Sequence, residues 1–323
     1  MTWKGNGGTT WNNFKLLYLK RRVNSVEYML EMLEKIQLMC NPFLDHLFIG
    51  ITVLGEEYFA IAVICLILWC VNKKAGYRIG FTYVTSWILN SSLKELIHLP
   101  RPFELDKNII PLRPETATGF SFPSGHTQSI ASLSTAVASG FHKKWLYTAG
   151  AILIIFMAGS RLYLGVHTLM DVAGGALIGI VWIYAANKLF DYVECTGRKS
   201  AFLIFGVPML LGMVFIQTND YYKIAGTFTG LMLGYILDSY YLKYEVRGLS
   251  WQRLLNFLMG MLILLFIKSL FKKVLGESLP ADYLRYFLMG IWITVFAPIL
   301  FNKLWKKRSE HPAPVTRSID SNL

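Results

Sequence analysis

Between Lys94 and Asp171 the chain sets cations, histidines and a carboxylate in three short blocks beside hydrophobic runs. The first reads Lys94-Glu-Leu-Ile-His-Leu-Pro-Arg101-Pro102, the second Pro123-Ser124-Gly125-His126, and the third Ser160-Arg161-x5-His167-x3-Asp171. Lys94 and Arg101 are seven apart, so on a helix they share a face. Arginine offers a planar fork of donors that suits phosphate oxygens, and lysine offers a compact charge. Pro100 and Pro102 stop the helix and turn Arg101 toward the mouth of a site. Taken alone, this pair is equally well explained as a snorkelling lysine and an interfacial anchor.

In the second block Ser124 is a natural N-cap, and Gly125 lets a ligand approach the backbone closely. The first N–H groups of the following helix then face an anion. His126 stands there within reach of a leaving group, although a capped membrane helix with a surface histidine would read the same way. The third block says more. His167 and Asp171 are i and i+4 at the start of a helix, so the carboxylate can accept from one imidazole nitrogen. That bond fixes the tautomer and leaves the other nitrogen to attack phosphorus. A carboxylate at this depth is costly unless paired or wetted, which favours a functional pair beside Arg161. A zinc site drawn from His98, His126, His167 and Asp171 is the competing reading. It lacks a His-Glu-x2-His pattern or a cysteine cluster, and the cations would crowd a metal. His46, His142 and His311 have no partner motif and are expected to be solvated or interfacial.

These residues need hydrophobic elements to hold them. Of 323 residues 54% are hydrophobic and 16% charged, and mean hydropathy is +0.42, which describes a polytopic membrane protein of all-α class. Nine spans are expected near 56–72, 78–98, 124–141, 145–163, 167–188, 201–217, 223–242, 253–270 and 284–305. Before them, Val26, Met29, Leu30, Leu33, Ile36 and Cys40 fall at helical spacing opposite Glu27, Glu31, Glu34 and Lys35. That helix is too charged to span, so it lies on the membrane surface or packs on the bundle. The apolar stretch from Phe43 to Leu54 is too short to span. The chain thus divides into an arm (1–55), a core (56–190), a C-terminal helical extension (191–306) and a tail (307–323) expected to be disordered.

The net charge of +12 lies between apolar runs, which fits membrane topology and anionic lipid better than nucleic acid. Five basic groups, at 73–78, 143–144, 188–199, 243–253 and 303–308, alternate onto one side, expected to be cytoplasmic. The three chemical blocks then face the extracytoplasmic side, against the pull of the basic N-terminal arm and of Lys272 and Lys273. Four cysteines (Cys40, Cys65, Cys70, Cys195) show neither metal nor disulfide spacing. No cleavable signal peptide is expected, since the first residues are polar. Asp238 and Lys268, in or near spans, either pair within the C-terminal bundle or flank a lipid path. Asn90-Ser91-Ser92 matches a glycosylation acceptor but falls inside a span.

Together the three blocks resemble, without a substitution, the signature of the type 2 phosphatidic-acid phosphatase superfamily, which includes the vanadium haloperoxidases. The resemblance covers about residues 56–188. It implies metal-independent hydrolysis of phosphate monoesters or diphosphates through a phosphohistidine, with no cofactor. It implies His167 as nucleophile, Asp171 as its orienting partner and His126 as general acid, with Lys94, Arg101, Ser124, Gly125 and Arg161 as the phosphate-binding shell. A membrane lipid phosphate in the bilayer of the plasma membrane is the expected substrate, the last residues lacking a di-lysine retrieval signal. A soluble sugar phosphate is the nearer alternative, because nine spans are similar to the glucose-6-phosphatase layout. A transporter or non-catalytic binder that keeps the pocket is the more distant one. Oligomeric state is not legible.

Overall fold

The computed structural model describes residues 26–306, and these are helical without a strand. The basic arm and the 307–323 tail lie outside the described residues. Helix α1 covers 26–37, α2 Pro42–Val53, α3 Glu57–Leu66, α4 Lys73–Ile97, α5 Pro102–Leu105 and α6 Gly125–Phe141. Then come α7 Lys144–Tyr163, α8 Leu169–Thr196, α9 Leu203–Phe215, α10 Asn219–Leu237, α11 Ser250–Leu275, α12 Leu279–Ile291 and α13 Ala297–Lys306. Single π turns extend α3 and α10 and join α12 to α13.

A helix stands at each of the nine expected spans. Among the described residues four are by themselves long and apolar enough to cross a bilayer: Lys144–Tyr163, Leu169–Thr196, Ser250–Leu275 and Leu279–Trp305. Pro42–Val53 and Glu57–Val71 reach that standard only together, bent by 49°. Of the others, α9 is apolar but short, whereas α4 and α6 carry polar inward faces. Thr82, Thr85, Ser86 and Asn90 are buried on α4, and Ser129, Ser132, Thr135 and Ser139 on α6.

The described chain forms two compact units, 26–60 with Leu89–Ala185, and Ile61–Ile88 with 186–306. In the first, α8 approaches α6 along glycines. A Cβ at Gly175 would lie 2.6 Å from the Ser124 carbonyl, and one at Gly179 3.0 Å from that of Gln128. α2 lies on α7, with Ser160 Oγ donating to the Phe48 carbonyl at 2.9 Å and Tyr163 Oη donating to Asp45 at 2.7 Å. α1 packs on the bundle. Its Gln37 side chain exchanges two hydrogen bonds with the Ile110 backbone, at 2.7 and 3.0 Å, and Ile36 and Cys40 pack against Tyr163, Leu164 and Val166.

In the second unit α10 and α12 approach through a four-residue glycine repeat. A Cβ at Gly226 or Gly230 would lie 2.2 or 2.4 Å from the carbonyls of Tyr283 and Phe287. Small residues at this spacing let membrane helices touch backbone to backbone. Trp69 is fully buried, meets Phe301 edge-on with centroids 5.4 Å apart, and donates Nε1–H to the Ile293 carbonyl at 2.8 Å. Asp238, buried in a π turn, pairs with Lys73 at 2.9 Å and accepts from the Tyr244 N–H at 2.8 Å. Lys268 lies 5.5 Å from the Tyr286 ring centroid. The four cysteines are free.

Candidate active site

The α7–α8 turn carries the imidazole. Arg161 is in the last turn of α7, the chain reverses through Gly165 at φ +68°, and His167 precedes α8. A Cβ at Gly165 would also crowd the Ile110 carbonyl at 3.2 Å, but it is the left-handed backbone that calls for glycine there. Thr168 caps α8. Its N–H donates to Asp171 Oδ2 at 2.7 Å while its Oγ1 accepts from the Asp171 N–H at 3.3 Å. This reciprocal cap holds the carboxylate one turn from the imidazole.

His167 and Asp171 are both buried. His167 Nδ1 faces Asp171 Oδ2 at 3.7 Å, too long for a direct hydrogen bond. Ser121 bridges the gap. Its Oγ donates to Asp171 Oδ2 at 2.7 Å and lies 3.4 Å from His167 Nδ1. On the opposite edge Arg101 Nη1 lies 3.4 Å from His167 Nε2. A guanidinium has no acceptor, so that contact needs a lone pair on Nε2. The Ser121 proton is committed to Asp171, so its oxygen accepts from Nδ1–H. The tautomer follows: Nδ1–H runs through Ser121 to Asp171, and Nε2 is unprotonated.

Arg101 follows the end of α4. Its other four N–H groups go to carbonyls: Nε to Gly119 at 2.9 Å, Nη1 to Val166 at 3.0 Å, and Nη2 to Thr118 at 2.7 Å and Phe120 at 3.5 Å. It therefore ties the 118–120 loop to the α7–α8 turn and braces the imidazole. Burial pulls its guanidinium down to about 10, against the opposing charges of Asp171 and Glu104, so it stays charged at neutral pH. Lys94 Nζ donates to the same Thr118 carbonyl at 3.2 Å.

Arg161 is different. It is fully buried and Nη1 donates to Thr52 Oγ1 at 2.7 Å, with Thr116 Oγ1 at 3.5 Å. Its Nε and Nη2 are buried without a hydrogen-bond partner. Leaving donors of a buried cation unmatched costs several kcal/mol, on the order of 1–3 kcal/mol or more per group, and an arriving anion would remove that cost. His126 Nε2 is likewise buried and unpartnered, and the charges of Arg161, Lys94 and Arg113 act on this ring. Gly55 makes room for it, since a Cβ there would stand 2.9 Å from His126 Cβ and Cδ2.

Ser124 occupies the N-cap position of α6, but its side chain makes no cap hydrogen bond. Its Oγ pairs with Thr127 Oγ1 at 3.1 Å, and its N–H donates to the Asp171 carbonyl at 3.0 Å. Gly125, His126 and Thr127 thus present first-turn N–H groups without an intrahelical acceptor. Asn90 steadies this turn from α4, donating to Gln128 Oε1 at 2.8 Å and the Pro123 carbonyl at 3.3 Å. All eight residues singled out by sequence lie in one compact unit. Ser121, Thr52, Thr116 and Arg113 were not singled out, and of their surroundings only the Thr168-x2-Asp171 capping spacing is a local cue. Among the described residues no three His, Cys, Asp or Glu side chains converge as a metal site requires. His98 stands apart, edge-on to Phe120 with centroids 4.3 Å apart.

Residues 75–194 match the family described as the PAP2 superfamily. Residues 222–309 match the PAP2 superfamily phosphatase transmembrane extension, so the C-terminal helices are a recognised part of such proteins. Phosphatidylglycerophosphatase B of Bacillus subtilis (strain 168) is 30% identical over 200 residues, 58% of this chain and 95% of the relative. Sphingosine-1-phosphate phosphatase 1 of Rattus norvegicus is 28% identical over 262 residues, 72% of this chain, which spans 60% of that relative. Undecaprenyl-diphosphatase of Sulfolobus acidocaldarius is 31% identical over 155 residues, 48% of this chain and 72% of the relative. With the Bacillus relative matched over nearly its whole length, this chain belongs to the PAP2 superfamily and is one of its membrane phosphatases.

Proposed function

We propose that this protein hydrolyses lipid phosphate monoesters or diphosphates without a metal, through a phosphohistidine on His167. The observation that carries the reading is the polarity of the imidazole: Nδ1 is tied through Ser121 to Asp171, and Nε2 carries the free electron pair. Arg161, Lys94, Arg101 and the first-turn N–H groups beside Ser124 and Gly125 supply the countercharge that a metal would otherwise bring. In the first step the Nε2 pair attacks phosphorus while the bond to the leaving oxygen breaks. His126 gives that oxygen its proton. In the second step the neutral His126 takes a proton from water, the hydroxide attacks phosphorus, and the P–N bond breaks to release inorganic phosphate and restore His167. Asp171 stabilises the charge that builds on the ring in both steps.

The lipid substrate is supported by the names of the relatives, which act on phosphatidylglycerophosphate, sphingosine-1-phosphate and undecaprenyl diphosphate. Nine spans, with the site at the extracytoplasmic face of the plasma membrane, are supported by the five basic groups that alternate onto one side. The test is phosphate release from phosphatidate and polyprenyl diphosphate in detergent with excess chelator, set against sugar phosphates at matched concentration. Chelator-resistant turnover of the lipids, with acid-labile and base-stable phosphate trapped on the protein, is expected. Strict dependence on an added divalent ion, or preference for the sugar phosphates, would overturn it.

A further inference from the structure

Arg113 belongs to none of the three blocks, yet it reaches the same site. It sits in the loop between α5 and α6, just before the turn Pro114–Thr116. Glu56, at the α2–α3 bend, pairs with its Nη2 at 2.8 Å, and Glu115 pairs with its Nε at 3.3 Å. Its Nη1 is buried and has no hydrogen-bond partner. Thr116 links the two arginines, because its Oγ1 donates to the Arg113 carbonyl at 3.2 Å and receives Arg161 Nη1 at 3.5 Å. The two guanidinium charges act on each other, and both act on His126.

Three donor nitrogens on two arginines linked through Thr116, Nη1 of Arg113 with Nε and Nη2 of Arg161, are therefore buried and unmatched. One tetrahedral phosphate between the α6 N-terminus and His167 accounts for Arg161. It does not account for the second guanidinium, which is joined to Arg161 through Thr116 and whose charge reaches His126. A neutral alcohol would leave the Arg113 Nη1 donor without an anionic acceptor. A second phosphoryl group bonded to the first would meet it.

We propose that Arg113, with the open edge of Arg161, forms a second anion subsite that holds the leaving-group phosphate of a diphosphate ester and so sets preference for diphosphates over monophosphates. The proposal rests on the phosphatase reading above. In this geometry His167 attacks the terminal phosphorus, the P–O–P bridge breaks, and the departing lipid monophosphate carries its new charge onto Arg113. Glu56 competes for the same guanidinium and repels the same phosphate, so it restrains the preference.

The experiment compares kcat/KM for farnesyl diphosphate and farnesyl monophosphate in the parent, R113Q, R113K and E56Q, in detergent with chelator. R113Q should lower the diphosphate-to-monophosphate ratio by about tenfold or more, the scale of one lost charge-assisted hydrogen bond. R113K, which keeps the charge but not the fork, should fall between R113Q and the parent. E56Q should raise the ratio. A merely structural tie between Arg113 and Glu56 predicts the same direction of change for both partners, so opposite signs are what the proposal requires. A ratio unmoved in both R113Q and E56Q, or moved the same way, overturns it. Should R113Q be inactive because it misfolds, E56Q alone decides, and an unraised ratio there is fatal. A parent that hydrolyses neither ester, or that does so unimpaired in H167A, would instead defeat the phosphatase reading.

Discussion

In the proposed reaction His167 is the nucleophile, and its neighbours divide the work by edge. His167→Ala should abolish turnover and any trapped phosphoenzyme together, measured by phosphate release and by acid-labile label on the protein. His126→Ala should slow the first step most for alkyl leaving groups. An aryl phosphate, whose leaving oxygen needs little protonation, should partly restore it. Phosphoenzyme that survives in His167→Ala but vanishes in His126→Ala would reverse the two roles. Asp171→Asn keeps an acceptor for Ser121 and for the Thr168 N–H but removes the charge, and a loss of about 10²–10⁴-fold in kcat is expected. Ser121 is the link between carboxylate and ring. Ser121→Ala should cost about tenfold in kcat, the scale of one hydrogen bond, and Ser121→Thr should recover most of it. Because Ser121 acts on the nucleophile, an aryl phosphate should not rescue Ser121→Ala, and rescue there would place its role on the leaving-group side.

At the scale of elements, the site is a turn, a helix start and a loop pressed together by close backbone contacts. The α6 start lies against α8 because Gly175 has no side chain, and a Cβ would come 2.6 Å from the Ser124 carbonyl. Gly175→Ala should therefore displace the first turn of α6 and lower kcat more than it lowers thermal stability in detergent. Gly230→Ala, whose Cβ would meet the Phe287 carbonyl at 2.4 Å, should lower stability by about 1–3 kcal/mol, the usual cost of overpacking. Unchanged melting would mean that α10 and α12 are free to separate. Some of this was legible in the sequence and some was not, for a physical reason. His167 and Asp171 announce themselves because they lie one helical turn apart. Ser121 meets Asp171 across fifty residues and Thr52 meets Arg161 across more than a hundred, so no local spacing reveals either contact. Asn90 matches a glycosylation acceptor only by pattern, and inside its helix it is buried and braces Pro123. Arg101 reads as an open phosphate fork, and its N–H groups prove to be engaged by carbonyls and the imidazole. Gly55 stands at the bend between α2 and α3, and the close contact that calls for glycine there is with His126.

For the whole molecule, the side of the membrane on which phosphate is released is set by the orientation of one helix. α8 runs unbroken for 28 residues, roughly 42 Å at about 1.5 Å per residue, against a hydrocarbon core of ~30 Å. His167 and Asp171 lie at its start, and Cys195 near its end is exposed, followed by Arg198 and Lys199. If the alternation of basic groups sets topology, Cys195 faces the cytoplasm and the imidazole faces out. Cys65 and Cys70 are buried and Cys40 is partly covered, so a Cys40→Ser variant leaves Cys195 as the accessible thiol among the described residues. A membrane-impermeant maleimide should then label Cys195 in inside-out vesicles and leave it unlabelled in right-side-out ones. In the right-side-out preparation the same vesicles should release phosphate from an added short-chain lipid phosphate without permeabilisation. Labelling from the outside, with hydrolysis appearing only after permeabilisation, would invert the protein and make its substrate pool cytoplasmic. Labelling from inside together with hydrolysis only after permeabilisation would contradict α8 as a crossing helix.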